Sequence, residues 1–273
     1  MPHPATTIQE TGGAIAPHLM RLLEFVEPSR EDVCLDVARG AGPMPAALGP
    51  RVRHLTAVEA KPVPARAGGR RTATVEFGTG PVRLPGEGDL PASARRDAYA
   101  GPPARRGSPD GATIRADATR LPYQDDTFSL VTARFSLYNL GDPEHVLREL
   151  LRVCRPGGRL IIADLVRGNL AGAERDRIER LRDPDHPGTP SIARLTEMIT
   201  SAGASIRRLD VFTVERPIEP WLEGARDAVA ADRIREALTD EVDGGPRTGA
   251  KPRIIGGELW FTQSWAHVAA EPI

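Results

Sequence analysis

The chain has 273 residues, 40% of them hydrophobic and 27% charged, with a formal net charge of −1 at pH 7. That length allows one large domain or two small ones, and the balanced charge excludes an electrostatic case for nucleic acid or an anionic membrane as partner. No run of about 20 apolar residues is present, so no membrane-spanning helix is expected.

Residues Met1 to Thr7 lack a basic region and an apolar core, so no signal peptide is read there. Residues 14–27 follow, placing Leu19, Leu22, Leu23 and Val26 on one face of a helix that Pro28 ends. A strand is predicted at 33–37, a short helix at about 44–50 and a second strand at 54–58. Pro43 and Pro45 are tolerable only in that helix's first turn. From about 61 to 111 the periodicity dissolves into Pro, Gly and three Arg pairs, apart from a candidate strand at 72–77. This stretch reads as a loosely packed or disordered insertion whose arginines are solvated.

Order resumes with strands at 112–117 and 127–135. A helix at 143–154 carries its apolar face on Val146, Leu147, Leu150, Leu151 and Cys154, with Asp142 as N-cap and Pro143 at its first position. Arg155-Pro156-Gly157-Gly158 reads as a turn. Residues 159–166 follow as a strand, apolar enough for the centre of a parallel sheet. Helices at 173–182 and 191–202, a strand at 205–214, a helix at 221–238 and a strand at 258–268 complete the pattern. Strands alternating with helices predict an α/β fold with a mostly parallel sheet. The final strand has no helical crossover beside it and is expected as an antiparallel edge strand. Cys34 and Cys154 lie inside apolar segments and read as buried reduced thiols, not a disulfide or metal pair. This suits a cytoplasmic protein.

The segment from Val33 to Val37 empties into Ala38-Arg39-Gly40-Ala41-Gly42, a small-residue turn before a helix. A strand, glycine turn and helix in that order let backbone N–H groups approach a ligand closely. Glu59 stands one strand–helix–strand unit later, where a carboxylate can accept hydrogen bonds from two ribose hydroxyls. The pattern suits a bound nucleoside.

Four stretches in order resemble the class I S-adenosylmethionine-dependent methyltransferases, and within them the small-molecule branch of the ubiquinone and menaquinone C-methyltransferases. They are Val33–Gly42, Ala116–Val131, Leu150–Leu160 and Ile178–His186. The resemblance covers nearly the whole chain outside 61–111. It implies a single domain, 1–273, with an N-terminal cap helix at about 14–27. The fold it implies is a Rossmann-like seven-stranded, mostly parallel sheet with helices on both faces.

The resemblance also implies S-adenosyl-L-methionine as cofactor, with Asp36, Ala38, Gly40 and Gly42 lining its methionine and ribose parts. Glu59 would take the ribose hydroxyls, Asp117 and Ala118 would address the adenine amino group, and Arg134 and Phe135 would border the methionine end. His18, Tyr138 and Asn139 are the candidate substrate-pocket residues, and Tyr138 and His186 the candidate catalytic groups. No His, Cys or carboxylate spacing suggests a metal. The implied activity is methyl transfer to oxygen or carbon of a small molecule, a secondary metabolite or quinone-like acceptor, by a monomer or homodimer. The chain departs from the family at Arg39, usually small, at Ala41, usually a hydroxyl residue, and at the two prolines. These departures motivate an alternative: a methyltransferase fold turned to cyclisation, isomerisation or elimination.

Overall fold

Apolar segments between glycine and proline breaks build a twisted sheet with helices against both faces. The computed structural model describes residues 17–38, 43–60, 113–134, 137, 140, 142–168, 173–184 and 186–273, apart from the side chains at 17, 18 and 173. The insertion expected at about 61–111 and its candidate strand lie outside these residues.

Helix α1 (Pro17–Val26) precedes strand β1 (Val33–Ala38), helix α2 (Met44–Leu48) with a following 3-10 turn, β2 (His54–Ala60) and β3 (Thr113–Ala116). Strand β4 (Phe128–Arg134) leads through α3 (Pro143–Val153) to β5 (Cys154–Val166). Helices α4 (Ala173–Arg182) and α5 (Ile192–Ser201) separate β5 from β6 (Ala204–Pro217). Helices α6 (Ile218–Leu222) and α7 (Ala228–Val242) and strands β7 (Arg253–Ile255) and β8 (Glu258–Pro272) complete the chain.

The sheet order is β3-β2-β1-β4-β5-β8-β6, with β7 paired to β8. The pairings among β1 to β5 are parallel, and β8 is antiparallel to both β5 and β6. The antiparallel strand is therefore not at the edge, as the sequence suggested, but one place inside it. Its partners are chosen by long-range apolar matches, Val268 with Ile162 on one side and with Leu209 on the other.

Two cores flank the sheet. Leu19, Leu22, Leu23 and Val26 of α1 pack with Met44 and Leu48 of α2 on one face, and Val146, Leu147 and Leu150 of α3 pack with Leu195 and Ile199 of α5 on the other. Strand β4, buried along its whole length, contributes to both. Asp142 caps α3 by accepting from the backbone N–H groups of Glu144 and His145 at 3.0 and 3.3 Å.

A third core joins α4, α6, α7 and β8 around Ile178, Trp221, Ile234, Leu238 and Phe261. The single helix expected at 221–238 is two here. The first ends after Leu222, where Arg182 Nε donates to Trp221 O at 3.0 Å, and the second starts at Asp227, which caps α7 by accepting from Ala230 N at 2.7 Å. The expected turn at 155–158 lies within β5 as an irregularity: Phe128 pairs with Cys154, but Leu130 with Arg159. Gly157 there has φ +71°, and a Cβ on Gly158 would stand 2.8 Å from Arg155 O. Strands β7 and β8 meet across Gly256 and Gly257, both with positive φ, which closes a two-residue hairpin. Cys34 and Cys154 are buried free thiols, and burial pushes the Cys154 thiol up to about 12.

Candidate functional site

Parallel register sets one row of side chains across the carboxyl edge of the sheet. Arg115 of β3, Glu59 of β2, Ala38 of β1, Arg134 of β4 and Ala163 of β5 are successive neighbours. Residues in one such row share a face of the sheet, and the carboxyl edge of a parallel sheet is where ligands bind. Asp36 and Thr132 are neighbours two residues back on the same face.

Asp36 and Arg134 are buried, at 2% and 8% exposure. Burial pushes the Asp36 carboxyl up, and Thr132, whose hydroxyl donates to Asp36 Oδ1 at 2.5 Å, and the Arg134 charge oppose this. Burial also lowers Arg134, against the favourable charge of Asp36. A buried cation and a buried carboxylate side by side match the two ends of an amino-acid zwitterion. Glu59 is less enclosed; its Oε2 accepts from Arg115 Nε at 3.4 Å, a long contact that leaves the carboxylate able to accept from hydroxyls.

After β3 the chain turns at Asp117. Its Oδ1 accepts from Thr119 N at 2.8 Å and Thr119 Oγ1 at 2.7 Å, so one carboxylate oxygen serves the turn itself. Ala118 beside it is buried. A clamp from α3 holds the residues that follow. Arg152 donates to both Glu149 oxygens at 2.8 Å, to Tyr123 O at 2.8 Å, to Leu121 O at 3.1 Å and to Asp125 Oδ1 at 2.7 Å. Glu149 Oε2 in turn accepts from Leu121 N at 2.8 Å. The i, i+3 spacing of Glu149 and Arg152 is visible in the sequence, but their joint grip on a distant loop is not.

The group that sequence reasoning missed is Asp164. It lies on β5 one residue past Ala163, the partner of the last β4 residue, and so leaves the strand on the face opposite to that row. Burial pushes its carboxyl up to about 7, opposed by the backbone N–H groups of Leu165, at 2.8 Å, and Leu137. Its Oδ2 is buried with no hydrogen-bond partner. One acid within the apolar run from Leu160 to Val166 was the available signal, since a lone buried carboxyl is costly without a task.

Among the expected site residues, Asp36, Ala38, Glu59 and Arg134 come together at the sheet's carboxyl edge, and Asp117 and Ala118 form the turn beyond β3. Gly40, Gly42, Phe135, Tyr138 and Asn139, and the His18 side chain, lie outside the described residues. His186 sits in the α4–α5 connection, where its N–H donates to Asp183 O at 2.9 Å and its Nε2 is 3.4 Å from Thr189 Oγ1. These contacts shape its own loop. Among the described residues no cluster of three metal-ligating side chains occurs, and no helix is long and apolar enough to cross a membrane.

Residues 92–162 match the family described as Methyltransferase domain. The chain is similar to demethylmenaquinone methyltransferase of Renibacterium salmoninarum, 45% identical over 60 residues, which cover 22% of this chain and 25% of that protein. It is also similar to methyltransferase GfsG of Streptomyces halstedii, 54% identical over 123 residues, 42% of each chain. These matches thus span a quarter to two-fifths of the curated relatives' length. In fold it is similar to the YcgJ protein of Bacillus subtilis, with a TM-score of 0.66, 18% identity, and coverage of 93% of this chain and 97% of that one. The [4+2]-cyclase SpnF shares the fold at a TM-score of 0.52 and 17% identity, over 98% of this chain and 88% of that one.

Proposed function

We propose that the chain is a class I S-adenosylmethionine-dependent methyltransferase that transfers a methyl group from S-adenosylmethionine to oxygen or carbon of a small organic acceptor; the match of residues 92–162 to a methyltransferase domain and the partial likeness to methyltransferase GfsG support this reading. The observation that carries this reading is the row at the carboxyl edge, with the buried Asp36–Thr132–Arg134 group behind it. The donor set suits the cofactor: Glu59 for the ribose hydroxyls, Arg134 for the carboxylate, Asp36 for the ammonium, and the turn at Asp117 and Ala118 for the adenine. When bound, that cofactor supplies an electrophilic methyl carbon on a sulfonium.

The protein's share of the reaction is alignment and proton removal. The clamp of Arg152 and Glu149 fixes the 117–125 loop against α3, which fixes one wall of the site before any ligand arrives. Asp164 is the proton acceptor in this reading. Its Oδ2 makes no other hydrogen bond, and its pKa of about 7 suits a base working near neutral pH. His186, a catalytic candidate from the sequence along with Tyr138, makes its contacts with Asp183 and Thr189 of its own loop. A secondary metabolite or a quinone-like compound is the acceptor class we favour, because partial relatives act in quinone methylation. A cytoplasmic location suits the two reduced thiols.

Isothermal titration with S-adenosylmethionine and S-adenosylhomocysteine tests the proposal. Micromolar binding is expected, weakened about tenfold or more by Glu59→Ala, the scale for losing hydrogen bonds to a charged group. Asp36→Ala is expected to abolish it, with a thermal melt confirming the fold. No binding of either nucleoside to the folded wild-type protein rejects methyl transfer and leaves the non-methylating alternative.

A further inference from the structure

The cap formed by α4, α6, α7 and the outer ends of β6 and β8 holds more positive charge than it answers. Arg175 and Arg182 are 8% and 7% exposed, and Arg216 is half-buried. The one fully buried carboxylate among them is Glu179, which pairs with Arg175 at 2.6 Å. No carboxylate among the described residues stands within ion-pair distance of Arg182 or Arg216. Arg182 donates Nε to Trp221 O at 3.0 Å, and Arg216 reaches only an amide oxygen, Gln263 Oε1, at 3.3 Å. Arg175 Nη1 is buried with no hydrogen-bond partner. Burial disfavours the charge on Arg182 first; Glu179 and Asp183 oppose that, and Arg216 and Arg175 add to it.

Guanidinium groups do not shed their protons, so this arrangement carries an unmet cost unless an anion completes it. The aromatic walls ease but do not remove that cost. The Arg182 guanidinium carbon is 4.8 Å from the Trp221 ring centre, and that of Arg175 is 5.2 Å from the Phe261 ring centre. Location gives the cluster a task. The last pairing of β5 is Val166 with Ser264, yet β6 and β8 stay paired beyond it, from Val214 with Gln263 to Pro217 with Trp260. Those residues carry about 13 Å of ribbon past the carboxyl edge, with Arg216 paired to Phe261 on it. The cluster also absorbs the segment Ile178–His186, whose Glu179 and Arg182 point to no role in cofactor binding.

We propose that Arg175, Arg182 and Arg216, walled by Trp221 and Phe261, form an anion-binding site that takes the carboxylate or phosphate of an acidic methyl acceptor. The acceptor role rests on the methyltransferase reading; the anion site itself does not. Bidentate guanidinium donors suit either oxyanion.

The test titrates the full chain with inorganic pyrophosphate and with 2-naphthoate, following tryptophan fluorescence and thermal midpoint against sodium chloride of equal ionic strength. The expected result is saturable binding of at least one probe, weakened about tenfold or more in Arg216→Gln and unchanged in Arg207→Gln, a surface control paired with Glu271. The probe that binds identifies the oxyanion class. Arg182→Gln endangers the cap because Arg182 holds Trp221 O; Arg216→Gln breaks only a long hydrogen bond and keeps the test interpretable. Absence of saturable binding by either probe, or equal binding in Arg216→Gln, overturns the site. S-adenosylhomocysteine binding, measured on the same samples, is expected to be unchanged in Arg216→Gln. If wild type binds an anion but no nucleoside, the methyltransferase reading fails and the anion site stands.

Discussion

Replacing Asp164 by asparagine removes a carboxyl that burial keeps protonated below about pH 7 and lets ionise above it. Its pKa rises from 3.8 to about 7 on burial, a shift of about 3 units, which at about 1.4 kcal/mol per unit is about 4 kcal/mol in full. The sign follows from proton counts. Between pH 4 and pH 7 the folded protein keeps a proton on Asp164 that the unfolded chain has lost, so stability contributed by this group falls as pH rises through that window. Asparagine has the same shape and accepts from Leu165 N and Leu137 N in the same way, but it does not titrate. Its buried NH2, facing a site with no partner, costs about 1–3 kcal/mol at every pH. Urea denaturation of wild type and Asp164→Asn at pH 5 and pH 8 therefore isolates the carboxyl. The variant is expected to gain about 3 kcal/mol relative to wild type between those two values. A stability difference that is the same at both pH values refutes the raised titration of Asp164, and with it the match to a base working near neutral pH.

The clamp on the 117–125 loop gives a second expectation: Arg152→Ala loses about 2 kcal/mol of stability, the scale for charged hydrogen bonds, and speeds amide exchange at Leu121. Exchange unchanged at Leu121 would show that the loop holds itself. Gly158→Ala is expected to destabilise by about 1–3 kcal/mol in a thermal melt, because the new Cβ meets Arg155 O at 2.8 Å and Ser129 O at 3.0 Å, both backbone atoms with nowhere to go. A neutral result there would mean that the β5 irregularity is soft.

The legible parts of the fold were those with local causes. The apolar runs of β4 and β5, the Asp142-Pro143 helix start and the amphipathic face of α3 each follow from neighbouring residues. The place of β8 between β5 and β6 depends on partners about a hundred residues away in the case of β5, so the sequence showed only that it was antiparallel. At the break between α6 and α7 the Trp221 carbonyl is met by Arg182 from another helix, a contact no local pattern shows. The β7–β8 hairpin had a local signal, Gly256-Gly257, that was overlooked. At the site, Glu59 was marked by its place at the end of an apolar strand, whereas Asp36 and Arg134 were candidates only through the family resemblance; the structure sets all three near the carboxyl edge of the sheet. Asp117 was a candidate through the same resemblance, and in the structure one of its oxygens serves the turn at Thr119. Asp164 escaped because an acid inside an apolar strand carries no periodicity, and its unbonded oxygen exists only after folding.

The most direct test of the central claim is diffraction from crystals of the wild-type protein grown with S-adenosylhomocysteine. The ribose hydroxyls are expected on Glu59, the carboxylate toward Arg134 and the sulfur at the carboxyl end of β5. A nucleoside bound away from Glu59 and Arg134, or a site that stays empty at saturating ligand, would contradict it.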